Sequence, residues 1–288
     1  MTTSDRFQCA ILSACITALT LTGPAHAETP SSLKDSRLGQ YYAAVQSKLM
    51  AAGRLRRDPS PSDAPYGPSG LARNFFEIAM RHEYGTSGQK PLLRWEDPVR
   101  YSIRFGASVG PAQQRADHAS ISGMFSEIRH LTGHPIRQGG SANFHVFVLG
   151  EAELKGIAPI LRQEVAGLSA SQARSIARMP QSHMCRVVAV PHQHKSRGYR
   201  SVVAIIRAEH APVMRASCIA EEIAQGMGLP NDCRTARPSI FNDDEEFAVL
   251  THHDKTLLSM LYSPSLRSGM SAAEARPVVE QLSRLATR

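Results

Sequence analysis

The order in which two-residue and helical periodicities follow one another limits the folds open to this chain more than any other feature. Val99, Tyr101, Ile103 and Phe105 alternate with Arg100, Ser102 and Arg104, as in a half-buried strand. Pro111 suits a first helical position, and Ala116, Ala119, Ile121, Met124, Phe125, Ile128 and Leu131 keep helical spacing until Gly133 stops the run. Residues 144–149 read as a second strand, and 184–190 and 201–208 as two more, joined by the polar stretch 191–198 into a hairpin. Helical spacing fills 151–165, 169–179 (with Ser169 as cap), 213–227, 254–261 and 271–286. This succession predicts an α+β fold, a single mixed, mostly small β-sheet with packed helices.

Ahead of that domain, Arg6 precedes an apolar run over 9–21, and Ala25-His26-Ala27 forms an A-x-A cleavage site, so residues 1–27 read as a signal peptide. The mature protein is then expected to be exported, periplasmic or secreted. Residues 28–90 read as an N-terminal helical extension. One helix runs through Leu38, Tyr41, Tyr42, Val45 and Leu49, and another through Leu71, Phe75, Phe76, Ile78 and Ala79. Between them Pro59, Pro61, Pro65 and Pro68 mark a linker. The α+β domain takes 91–288. No later stretch is apolar enough to span a bilayer.

Charge and cysteine usage narrow the partners. Asp5 and Arg6 cancel within the signal segment, so the net charge of +8 belongs to the mature chain; such a surplus would attract anionic envelope surfaces, but an ordinary solvated basic surface is the preferred reading. The cations are scattered and not interleaved with aromatics, which argues against nucleic acid. A peptide or a cell-envelope component is the expected partner class; oligomeric state has no signature. After Cys9 and Cys15 leave with the signal, Cys185, Cys218 and Cys233 remain for an oxidising compartment. Cys218 and Cys233 lie at opposite ends of a helix, a separation unsuited to a bond that needs Cα atoms within about 7 Å. Cys185 with Cys218 is therefore the expected disulfide.

The chemistry concentrates in Ser217-Cys-Ile-Ala-Glu-Glu-Ile-Ala-Gln-Gly-Met-Gly-Leu-Pro-Asn-Asp232. Aligned on His-Glu-x-x-His-x-x-Gly-x-x-His, it places Glu221, Gln225 and Asn231 at three zinc-ligand positions, Glu222 at the catalytic glutamate and Gly228 at the turn glycine. Only Glu222 and Gly228 match. Downstream, Met260 within Leu258-Ser-Met-Leu-Tyr262 stands where a Met-turn methionine would. The layout resembles the metzincin branch of zinc metallopeptidases with its ligands replaced. More closely, 218–232, Ser239-Ile-Phe-Asn-Asp-Asp244 and 261–270 resemble a bacterial family of exported proteins, domain of unknown function 2927, over roughly residues 90–280.

The resemblance implies a zincin-like scaffold with a former ligand set at Glu221, Gln225 and Asn231, a turn at Gly228 and Asp232, and a floor from Met260 and Tyr262. It supplies no established activity. Carboxylate and amide oxygens suit calcium or magnesium better than zinc, and with no zinc Glu222 has no activated water to serve, so it is catalytic only if the protein is active at all. The expected cofactor is none, with zinc or calcium as the lesser alternatives. The expected function is a non-catalytic binding or scaffold protein of the cell envelope with a degenerate metallopeptidase-like site; the alternative is a metal-dependent hydrolase with an oxygen-ligated site. The pairs His192/His194 and His252/His253 read as surface histidines, and Asp243-Asp-Glu-Glu246 as a solvated turn.

Overall fold

A computed structural model of the protein describes residues 33–34, 36–81 and 89–287. The expected signal peptide, 1–27, lies outside the described residues. Five strands form one mixed sheet in the order β2-β1-β3-β5-β4: β1 is Val99–Phe105, β2 Ile136–Gln138, β3 Phe144–Leu149, β4 Cys185–Pro191 and β5 Tyr199–Arg207. β1 runs parallel to β2 and β3, β3 parallel to β5, and β4 antiparallel to β5 as the hairpin partner. The α+β expectation is met.

The two faces are covered differently, and the sequence of the strands records it. On β3 and β5, Phe144, Val146, Val148, Val202, Ala204 and Ile206 face the larger core, while Phe147, Leu149, Val203 and Ile205 face a smaller one. Both faces being dry, these central strands are apolar over most of their length, with His145 on β3 and Ser201 and Arg207 on β5 as buried polar exceptions. β1 reaches past the second layer, which is why Arg100, Ser102 and Arg104 keep solvent exposure and its alternation is legible. The larger core is roofed by α3 (Pro111–Thr132), α7 (Pro212–Gly226) and α8 (His252–Leu261); the smaller by α4 (Glu151–Gly156), α5 (Ala158–Glu164) and α6 (Ala170–Ala177).

Three boundaries differ from the sequence reading for identifiable reasons. The helix expected over 151–165 is two, because Pro159 has no N–H to give an uninterrupted ladder and instead sits in the first turn of α5. α8 begins before Asp254 because Thr251 and Asp254 form a capping box. β2 was not expected at all: only Ile136 of its three residues is buried, too little for a periodicity to register.

The N-terminal segment divides. α1 (Arg37–Ala51) rests on a small cluster where Tyr42 meets Leu55, Met214 and Ala248. Its Gln46 Oε1 accepts the backbone N–H groups of Val213 and Met214 at 3.0 and 3.1 Å, serving orphan donors of the first turn of α7. α2 (Pro68–Met80), in contrast, buries Leu71, Phe75, Ile78 and Met80 in the larger core and packs along α9 (Ala272–Ala286). The proline-rich stretch between them is held in place: Leu55 and Arg56 donate backbone N–H bonds to the Glu245 and Glu246 carbonyls, and His252 N–H reaches Pro59. Arg56 and Arg237 both clasp Asp63 and Glu246.

Cys185 and Cys218 are bonded, with Cα atoms 5.8 Å apart, tying edge strand β4 to α7 as expected, and Cys233 is a buried free thiol. Among the described residues no helix is long and apolar enough to cross a membrane.

Candidate functional site

α7 is fixed at both ends and along its length, so the residues that follow it are placed with little freedom. Its N-terminal turn is served by Gln46 and its middle is pinned by Cys218. At its C-terminus two carbonyls left without intrahelical partners are taken up by side chains. Trp95 Nε1 donates to the Gly226 carbonyl at 2.9 Å, and the Tyr262 hydroxyl donates to the Met227 carbonyl at 2.8 Å. Glycine is required here for proximity: a Cβ on Gly226 would lie 2.5 Å from the Phe144 ring, so only glycine lets the helix rest this close to β3. Gly228 then turns the chain with φ +125°, a conformation L side chains avoid, and faces the Leu93 carbonyl at 2.8 Å from where a Cβ would stand.

Past that turn, the structure separates the positions that the sequence aligned as ligands. Asn231 points toward α2, where its Nδ2 donates to the carbonyls of Ile78 at 2.8 Å and Arg81 at 3.0 Å. It satisfies the open C-terminal end of α2 from outside that helix. Gln225 Nε2 donates to Asp232 Oδ1 at 3.1 Å, closing the turn on itself. Met260 and Tyr262 are buried in the larger core, and the Tyr262 hydroxyl, accepting from Trp95 N at 3.3 Å as it donates to Met227, is pushed far up in pKa by burial.

What remains is a group of carboxyls. Glu222 is 5% exposed and its Oε2 has no hydrogen-bond partner; Glu221, beside it, keeps some exposure. Burial first, and then the negative charge of Asp232, hold Glu222 well above the usual carboxylate range, with Arg186 opposing. Glu221 is raised by burial and then by Glu222, Asp232, Glu245 and Asp243. The loop after Ile240–Asn242 brings the last two into range through two left-handed residues, Asp243 (φ 63°) and Glu245 (φ 59°). The acidic run expected to be a solvated turn is thus mostly paired: Glu246 with Arg56 and Arg237, Asp243 with Arg234, Asp244 with Arg54. Glu245 makes no ion pair among the described residues and is raised by burial and by Asp243 and Asp244.

This arrangement does not fit zinc. No imidazole is present at the aligned positions, Asn231 is turned toward α2, and among the described residues no three His, Cys, Asp or Glu side chains are placed to share one ion. As for an oxygen-ligated site, Asn231 is turned away from the two glutamates, its Nδ2 on α2 and its Oδ1 accepting from Lys90 Nζ at 3.4 Å, while the Gln225 bond to Asp232 uses its NH2 group.

The histidine pairs behave unequally. His194 and His252 are exposed and His192 is half-buried, 3.7 Å from Asp97. His253, expected at the surface, is fully buried: Nδ1 lies 3.2 Å from Asp254 Oδ1 and Nε2 3.0 Å from Asn74 Nδ2. Asp254 also accepts from the Ser239 hydroxyl at 2.5 Å and from Thr251, so the network joins the start of α8 to the loop before it. The Thr251-x-x-Asp254 capping pattern was the one sequence signal for it.

Fold and site together define an α+β protein in which a disulfide-pinned helix lies over a mixed sheet and ends in a partly buried carboxyl group cluster. Within that class, a family model described as protein of unknown function (DUF2927) matches residues 68–281, and the chain belongs to that family. The match begins at α2, earlier than the sequence resemblance placed it, in keeping with the packing of that helix in the larger core. No curated protein and no solved structure shows significant similarity to the chain.

Proposed function

We propose that this is an exported, non-catalytic binding protein of the cell envelope, built on a metzincin-like scaffold, and that the acidic end of α7 holds a basic group of a peptide. The observation that carries this reading is Glu222. A carboxyl that is nine-tenths buried with an unpaired oxygen costs the folded chain about 1–3 kcal/mol, a cost that a function at that position would explain. Glu221 and Glu245, both partly exposed, add two further carboxyls to the neighbouring surface. An ammonium or guanidinium entering there gains charge-assisted hydrogen bonds in a setting of reduced dielectric. A hydrolase reading has less to support it, because Gln225 and Asn231 hold the turn and α2 together.

The test is calorimetric titration of the protein with a lysine- and arginine-containing peptide and with its norleucine counterpart, in parallel with peptide hydrolysis and elemental analysis. Binding of the basic peptide alone, weakened by Glu222→Gln and with intact peptide recovered, is the expected result. Hydrolysis that needs a stoichiometric metal, or equal binding of the neutral peptide, would overturn it.

A further inference from the structure

A second site lies elsewhere on the molecule, in the groove between α2 and α9. The groove encloses about 520 Å³, within the range of small-molecule sites. Arg73 comes to it from α2, and Arg276 and Arg284 from α9, two turns apart on one stripe. None of the three makes an ion pair among the described residues, although Arg and Glu at four-residue spacing ordinarily meet. The carboxylate on the α2 side, Glu77, is taken by Arg81 at 3.0 Å, which leaves Glu280 as the other carboxylate lining the groove beside three arginines. Arg276 is oriented in advance, its Cζ 4.8 Å from the centroid of the Phe76 ring.

Guanidinium groups gathered along one groove repel one another and match the oxygens of a phosphate, to which each can give paired N–H donors. We propose that this groove binds a phosphate ester group, its oxygens shared among Arg73, Arg276 and Arg284. Two sources carry that chemistry, the headgroup of an anionic phospholipid and a soluble phosphate ester. The net charge of +8 favours approach to either.

The experiment uses the full mature chain against phosphatidylglycerol-containing vesicles, phosphatidylcholine vesicles and soluble glycerol phosphate. The variant Arg73→Gln/Arg284→Gln removes two groove cations and leaves the Arg276–Phe76 stack. Arg162→Gln/Arg174→Gln, at exposed positions on α5 and α6, removes the same charge outside the groove. Equal unfolding temperatures confirm that both variants fold. Binding to phosphatidylglycerol vesicles that falls about tenfold or more in the groove variant and less than twofold in the control identifies the lipid headgroup. The same pattern with glycerol phosphate identifies a soluble ester. Loss in both variants alike shows diffuse electrostatic attraction and overturns the proposal, as does binding to none of the three probes.

Discussion

Asn231 offers the sharpest test of how the site is built, because one substitution separates a structural role from a ligand role. In Asn231→Ala the hydrogen bonds to Ile78 at 2.8 Å and Arg81 at 3.0 Å disappear, together with two long contacts at 3.4 Å, one to the Glu77 carbonyl and one accepted from Lys90 Nζ. The Ile78 carbonyl keeps the Asn231 backbone N–H at 3.1 Å, so the larger cost falls on the Arg81 carbonyl. Two bonds at about 1 kcal/mol each, with a further desolvation penalty of about 1 kcal/mol, give a loss of roughly 2–4 kcal/mol. For a domain of this size that is a fall in Tm of about 5–15 °C. Asn231→Asp should also lose stability, since a carboxylate has no proton to give those carbonyls, with the Lys90 ammonium at 3.4 Å offsetting part of the cost. Urea unfolding at pH 7 with an unchanged m-value would measure the difference. If Asn231→Ala unfolds within about 0.5 kcal/mol of the parent, Asn231 does not hold α2.

Three further outcomes follow from the packing. Gly226→Ala puts a Cβ 2.5 Å from the Phe144 ring and 2.9 Å from Val202, and the overpacking of about 1–3 kcal/mol exceeds the gain in helix propensity of about 1 kcal/mol, so denaturant titration should show net loss. Cys185→Ser/Cys218→Ser opens a cross-link spanning 33 residues, worth about 3–4 kcal/mol of loop entropy, and thermal unfolding with and without reductant should show that the parent alone responds to reductant. His145 is buried with Nε2 unpaired and is pushed down to about 4 by burial and then by Arg104, while His210 is pushed down to about 3 by burial and then by Arg207 and Arg215. Because the unfolded imidazole takes its proton near pH 6.5, stability is present above that value and is lost as pH falls toward 4, on the order of 3 kcal/mol from His145 alone; His145→Gln should flatten the slope of unfolding free energy against pH in that window.

The layout was legible in the sequence where one physical pattern dominated. β1 alternates because one of its faces is wet, Gly133 stops α3 because φ is +66° there, and the Cys185–Cys218 pairing followed from the length of a helix. The site was legible as a place and much less as a geometry. Spacing put Glu221, Gln225 and Asn231 in register, but the partners that redirect two of them, the carbonyls of α2 and the Asp232 carboxylate, are backbone and turn groups that no linear pattern announces. His253 was misplaced for the same reason: its neighbours Asn74 and Asp254 come together only after α2 has packed beside α8. The proline-rich stretch looked like a linker because its composition forbids helix, and the Arg56 and Arg237 clasp on Asp63 and Glu246 that orders it spans most of the chain.

In the proposed binding site the carboxyls near the end of α7 are held above their usual range when empty and take charge when a basic group arrives. Their protonated state should stabilise the empty protein at acid pH, a contribution lost as pH rises above the unfolded carboxyl range near 4.5. Binding should therefore release protons. Titration of a basic peptide in two buffers of different ionisation enthalpy, at a pH just above that range, reads the release directly. Net proton release is expected for the parent protein and its disappearance in Glu222→Gln, whereas binding without proton release, or release unchanged in that variant, would rule out a buried carboxyl at α7 as the group that meets the ligand.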